Sequence, residues 1–252
     1  MALKYKALIA DLDGTIIPSQ RNGIPSERVT KAIGKASELI HVGLATSRPY
    51  FMLAHITNHL KLKGPSIISG GSQIINLPEK EFVWEKMIER QDIIETCTIL
   101  NKIKVPFFIH DCIKDEDVKF SPNLPGKSGH IVSLGIEENT GEQIIKSLSH
   151  IKTIVAHKVP SWEKDKIDLM ITHTLATKQH AIYEVAKILN IKTHEIIGVG
   201  DGYNDFPLLM ACGLKIAMGN AVDDLKAIAD YVAPSVEEDG IVDIIDKYIL
   251  NN

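Results

Sequence analysis

The chain has 252 residues, 44% hydrophobic and 24% charged, with a formal net charge of -4. This composition excludes disordered and fibrous classes, suits a globular chain with a proper core, and leaves no basic footprint for nucleic acid. No apolar run is long enough to span a membrane, no signal-peptide pattern opens the chain, and the three cysteines form no CxxC pair, so a reduced, cytoplasmic protein without disulfides or zinc is expected.

Residues 5–11 read as a short buried strand ending in Asp11-Leu12-Asp13-Gly14-Thr15. Ser26 precedes a helical pattern in which Val29, Ala32, Ile33, Ala36, Leu39 and Ile40 share one face. A second strand, 42–46, ends in Thr46-Ser47-Arg48-Pro49, where Ser47 is placed to cap a helix and Pro49 to open it. A third strand, 65–69, ends in Gly70-Gly71. Strand and helix alternating in this way predict a parallel α/β sheet.

The pattern then changes. Strands are predicted at 73–77 and 81–85, a helix at 91–102, a strand at 105–110, an irregular loop at 114–127, a strand at 130–135, a helix at 140–148, and strands at 153–159 and 166–172. Alternation returns with a helix at 178–189, a strand at 196–200 leading to Asp201, a helix at 205–211, a strand at 214–218, a helix at 221–228, a strand at 231–233 and a helix at 240–249. The expected architecture is an α/β, Rossmann-like core with helices on both faces, formed by residues 1–77 and 173–252. An α+β domain, residues 78–172, is inserted into it.

The chemistry gathers at predicted strand ends, where open parallel sheets bind ligands. Asp11 and Asp13, two apart, leave their strand on one side and repel each other unless a proton or cation intervenes; Mg²⁺ is a natural occupant. Each signal has a plainer reading. Asp-x-Asp-Gly can be a polar turn, Thr46-Ser47 a helix cap, Gly200-Asp201-Gly202 a turn, and Lys178 a solvated lysine in a first helical turn. Their shared placement at strand ends and helix starts favours a common site.

Four motifs in order resemble those of haloacid dehalogenase superfamily phosphatases, in the Cof-type group with a large α/β cap. They are Asp11-Leu12-Asp13-Gly14-Thr15, Thr46 after its apolar strand, Lys178 in Ala176-Thr177-Lys178-Gln179, and Gly200-Asp201-Gly202-Tyr203-Asn204-Asp205. The resemblance implies Asp11 as nucleophile, forming an aspartyl-phosphate, and Asp13 as general acid and base. It implies Mg²⁺ held by Asp11, the Asp13 carbonyl and Asp201, with Asp205 either a further ligand or a support behind the ligands. Thr46, Lys178 and Asn204 would bind the phosphoryl group, and Arg48, at the rim, would contact substrate. Ser47 departs from the glycine common at its position, and Gly70-Gly71 stands where an Asn-Gly pair is common.

The activity this implies is Mg²⁺-dependent hydrolysis of small phosphorylated metabolites, sugar phosphates above all, with specificity residing in the inserted domain. The partner is thus a small molecule, with no nucleic acid and no membrane, and the protein a monomer or small homo-oligomer. The alternatives are a phosphomutase, disfavoured because Arg90 is the single arginine in 78–172, and a non-catalytic phosphate sensor, disfavoured because Asp11 and Asp13 are both present. His55 and His59, four apart, lack a third metal ligand nearby; Trp162 and the Leu209-Met210 pair read as core; His110, Asp111, Lys127 and Ser161 are candidates for a substrate-facing surface.

Overall fold

The computed structural model describes residues 3–18, 23–110, 117–119, 124–161 and 163–251. The chain opens with β1 (Ala7–Ala10), α1 (Glu27–Ser37), β2 (His41–Leu44), α2 (Ala54–Leu60), β3 (Gly64–Ile68), β4 (Gln73–Leu77) and β5 (Glu81–Glu85). Next come β6 (Ile88–Glu89), α3 (Arg90–Ile103), β7 (Phe108–His110), β8 (Asp117–Lys119), β9 (Lys127–Ser128), β10 (His130–Ile136), α4 (Glu138–Leu148), β11 (Ile154–Pro160) and β12 (Ile167–His173). It closes with α5 (Lys178–Ile188), β13 (Ile196–Gly200), α6 (Phe206–Ala211), β14 (Leu214–Ala217), α7 (Asp223–Ile228), β15 (Tyr231–Val232) and α8 (Gly240–Ile245). Two compact units result: Met1–Trp84 with Thr177–Asn252, and Glu85–Ala176.

The first unit is built on a parallel sheet in the order β15-β14-β13-β1-β2. β1 is buried throughout because its residues alternate between two apolar layers. Leu8 and Ala10 face a cluster with α1, α2 and α8, while Ala7 and Ile9 face one with α5, α6 and α7. Strand order reverses between β1 and β13, since β2 lies on one side of β1 and the later strands on the other. The crevice beyond that point is where such sheets bind ligands. Ala10 pairs with both Val199 and Leu44, so Asp11, the residues after Leu44 and those after Val199 emerge at one level. A smaller antiparallel sheet, β3-β4-β5, is attached through an Ala45–Ile67 bridge.

The second unit is an antiparallel sheet, β11-β12-β10-β7-β8, with α3 and α4 packed on one face through a continuous apolar cluster.

Several local expectations are corrected. Ser26 does cap α1, accepting from the Val29 N–H at 3.1 Å, but α1 ends at Ser37 and Leu39 is exposed. Ser47 caps nothing: a short 3₁₀ turn at Tyr50–Met52 begins from Pro49, and α2 starts only at Ala54. The stretch 114–127, expected to be irregular, contains β8, which pairs with β7, and the first residue of β9. Asp205 belongs to a 3₁₀ turn, Tyr203–Asp205, ahead of α6. Met210, expected in the core beside Leu209, is exposed. The last helix gives way at Asp246–Leu250 to a wider π turn.

Candidate active site

Asp11 directly follows β1, and its N–H still bonds the Val199 carbonyl at 2.9 Å. Continuing the strand this far buries the carboxylate, which is 5% exposed. Gly14 then turns the chain at φ +81°, a left-handed conformation that glycine adopts without penalty. A Cβ there would lie 2.3 Å from Asp201 Oδ2, so the missing side chain is what admits Asp201 beside the loop. The Thr15 hydroxyl fixes that approach by donating to Asp201 Oδ1 at 3.0 Å.

Lys178 arrives from the other side, at the first residue of α5. The Thr177 hydroxyl caps this helix by accepting from the His180 N–H at 3.2 Å. Gly71, at φ +103°, lets the turn after β3 close onto the same point, since a Cβ there would sit 2.3 Å from the Thr177 carbonyl carbon. Lys178 is 2% exposed, and its ammonium donates to Asp11 Oδ1 at 2.7 Å and to Asp205 Oδ1 at 2.5 Å. The other Asp205 oxygen accepts from the backbone N–H groups of Asp201 and Gly202, at 2.9 and 3.0 Å. Asp205 therefore braces both Lys178 and the loop that carries Asp201.

Oxygens of Asp11, Asp201 and Asp205 lie within 4.8 Å of one another. One buried ammonium does not balance three carboxylates. Burial, and then repulsion from Asp205 and Asp201, pushes the Asp11 carboxyl up to about 8 despite Lys178. Burial, followed by Asp205, raises Asp201 to about 6. Burial works against the Lys178 charge, but Asp11 and Asp205 overcome it and hold its pKa above the usual lysine value. An all-oxygen donor set with surplus negative charge fits a hard divalent cation.

Thr46, buried just after β2, accepts from the Arg48 N–H at 3.1 Å. The Arg48 guanidinium was expected to meet substrate at the rim; it is nearly buried and forks onto Asp13, with Nε to Oδ2 at 2.7 Å and Nη2 to Oδ1 at 2.5 Å. Asn204 reaches the same loop, donating to the Ser47 hydroxyl at 3.3 Å.

A profile of the haloacid dehalogenase-like hydrolases matches residues 8–124 and 114–245. The chain belongs to that family. It is similar to a putative phosphatase of Haemophilus influenzae, 25% identical over 97% of this chain and 98% of the relative. It is also similar to the 5-amino-6-(5-phospho-D-ribitylamino)uracil phosphatase of Bacillus subtilis, 24% identical over 97% and 96% of the two chains. A solved sugar phosphatase of subclass IIB in this family shares the fold, with a TM-score of 0.76, 22% identity and coverage of 96% and 98%. This hydrolase is a phosphatase.

His55 is exposed, and His59 Nε2 bonds the Thr30 hydroxyl at 3.1 Å. His110 stacks on His130 at 4.6 Å, Lys127 pairs with Glu89, and the Ser161 hydroxyl accepts from the Glu163 N–H. Asp111 and Trp162 fall outside the described residues. No helix among the described residues is long and apolar enough to cross a membrane. Sequence reading did not single out Ser47 as a partner of Asn204, the hydroxyl of Thr15 as a partner of Asp201, or Asn220. Thr15 stands inside the first motif and was within reach; Asn220 carries no motif signal.

Proposed function

We propose that the hydrolase is a Mg²⁺-dependent phosphatase of small phosphomonoesters, sugar phosphates in particular, working through an aspartyl-phosphate on Asp11. The observation that carries this reading is the buried Lys178 ammonium bonded to both Asp11 and Asp205, beside Asp201. Asp11, Asp201, Asp205 and the Asp13 carbonyl would hold Mg²⁺, which when bound offsets carboxylate repulsion and developing phosphoryl charge.

An Asp11 oxygen attacks phosphorus as the bond to the leaving alcohol breaks, and Asp13 gives that alcohol its proton. Water then attacks the aspartyl-phosphate, Asp13 takes the water proton, and the bond to Asp11 breaks to release phosphate. Lys178 fixes Asp11 Oδ1 and supplies positive charge where the transferring group gains negative charge. Thr46 and Asn204 supply hydrogen bonds to its oxygens. The Arg48 fork holds Asp13 by both oxygens, and each oxygen keeps a further lone pair on which the transferred proton can sit. Arg48 thereby orients Asp13 for that transfer.

Sugar phosphates are supported by the relative whose named substrate carries its phosphate on a ribityl chain, and by the subclass IIB fold neighbour. Hydrolysis rather than transfer to a second phosphate is supported by Arg90, whose Nη1 bonds the backbone carbonyls of Leu124 and Pro125. In this reading the inserted domain, residues 78–172, selects the leaving group.

The test is phosphate release from a panel of sugar, polyol and nucleoside monophosphates with Mg²⁺, combined with acid quenching and mass spectrometry of the peptide containing Asp11. Turnover of sugar phosphates and a phosphoryl group on that peptide are expected. Turnover with no phosphoryl-enzyme under any quench condition, or with Asp11→Asn retaining full rate, would remove Asp11 as nucleophile.

A further inference from the structure

Asn220 lies in the turn after β14, outside every motif that suggested the site. Its Nδ2 donates to the Gly14 carbonyl at 2.8 Å, and its Oδ1 accepts from the Val236 N–H at 2.8 Å. A backbone carbonyl only accepts and a backbone N–H only donates, so these two partners fix which end of the amide is which. Around it, the Ala221 N–H closes the turn onto Met218 at 2.9 Å, the Gly219 N–H reaches Pro234 at 3.2 Å, and the Val222 N–H bonds the Asp201 carbonyl at 2.9 Å. One five-residue turn, 218–222, therefore grips the loop that follows Asp13, the backbone of Asp201 and the segment 234–236.

Gly14 is the weak point of the first loop, because a residue without Cβ resists reorientation least. The Gly14 carbonyl and the Thr15 nitrogen share a single planar peptide unit. Asn220 holds the carbonyl end of that unit, the Thr15 N–H at its other end bonds the Leu12 carbonyl at 3.3 Å, and the side chain that this end carries donates its hydroxyl to Asp201 Oδ1. We infer that Asn220 is a positioning residue for the cation site, acting through the Gly14–Thr15 peptide on Asp201. The inference rests on the proposed Mg²⁺ role of Asp201. Asn220 is exposed on its remaining side, so the two hydrogen bonds, rather than packing, account for an asparagine here. No other common side chain of this length offers a donor and an acceptor on one short rigid plane: aspartate lacks the donor and leucine both.

The test is calorimetric titration of the full-length protein with MgCl₂, without substrate, for wild type, Asn220→Ala, Thr15→Val, the double variant and Asp201→Asn. Losing a partner that orients a metal ligand typically costs about 10–100-fold in affinity. Asn220 acts one step further out, so Asn220→Ala is expected to weaken Mg²⁺ by about three- to tenfold. Thr15→Val should weaken it by about tenfold or more, and the double variant should match Thr15→Val, because the two act through one peptide. The Mg²⁺ concentration for half-activation should rise in parallel, with kcat at saturating Mg²⁺ nearly restored; a purely structural lesion would leave kcat low. Unchanged affinity in Asn220→Ala, or effects that multiply in the double variant, would overturn the assignment. If Asp201→Asn itself bound Mg²⁺ as wild type does, the site reading would fall instead. Should Asn220→Ala not fold, Asn220→Ser, which keeps one short polar group, is measured in the same titration, with an intermediate loss of affinity expected and none overturning the inference.

Discussion

Replacing Asp201 by Asn should make the metal-free protein more stable while impairing its response to Mg²⁺. In the folded state burial and Asp205 raise this carboxyl from 3.8 to about 6. Because the folded value lies above the unfolded one, the stability linked to this proton is intact below about pH 4 and is lost as the pH rises through about 6. At pH 8 the ionised carboxylate therefore costs about 3 kcal/mol. Asparagine removes the charge and still offers Oδ1 to the Thr15 hydroxyl, now 3.0 Å from Asp201 Oδ1. At about 2–4 °C per kcal/mol for a chain of this size, the melting temperature in chelator at pH 8 should rise by roughly 6–12 °C. At pH 4 the gain should vanish. If Mg²⁺ binds as proposed, adding it at more than about 100–200 times the wild-type Kd should reverse the ranking at pH 8, since the wild type then gains stability by mass action. Differential scanning calorimetry at the two pH values, with and without Mg²⁺, measures all of this. An Asp201→Asn protein no more stable than wild type at pH 8 in chelator would refute the claim that these carboxylates are held together against their repulsion.

Asp13→Asn keeps the side-chain shape and the backbone carbonyl but removes the acid and base, so kcat on an alkyl phosphate should fall about 10²–10⁴-fold with KM little changed; steady-state kinetics on both parameters decides. Gly71→Ala places a Cβ 2.3 Å from the Thr177 carbonyl carbon at φ +103°, so it should destabilise the first unit by at least about 1–3 kcal/mol and shift Lys178 away from Asp11. Urea unfolding together with turnover would show both effects, and a fully active, equally stable variant would contradict the packing described. Excess chelator should abolish turnover, and Ca²⁺ should bind without supporting it, because it accepts more ligands and looser geometry than in-line attack by Asp11 tolerates; activity assays with each ion check this.

What the sequence makes legible follows from how local each feature is. Asp11 and Asp201 are readable because an apolar strand must end where the carboxylates begin, and Ser26 is readable because a cap and its helix are neighbours. Ser47 shows the limit: its cap chemistry is right, but Pro49 opens a 3₁₀ turn and the α-helix waits until Ala54. Leu39 continues the apolar spacing of α1 past the residue where the helix stops. β8 is short and charged, and only its pairing with β7 makes it a strand. The fork from Arg48 to Asp13 joins residues 35 apart, and the bond from Asn220 to Gly14 joins residues 206 apart. Both depend on which strands become neighbours, which no local pattern encodes.

The position of β1 also sets a schedule for biosynthesis. Its partner on one side, β2, follows almost at once, but β13 on the other side pairs through Ile196–Val199, and Ile196 comes 189 residues after its partner Ala7. Lys178, which neutralises part of the Asp11 charge, is 167 residues later in the chain than Asp11. At about 5–20 residues per second the wait for β13 is roughly 9–40 s, during which an apolar strand edge on the ribosome lacks its partner. The nascent chain can build the second unit in that interval, but not the cluster around Asp11. Phosphatase chemistry is thereby withheld until residues 178–205 emerge, and a fragment ending at residue 190 is expected to aggregate and to release no phosphate, which its solubility and a phosphate-release assay would check.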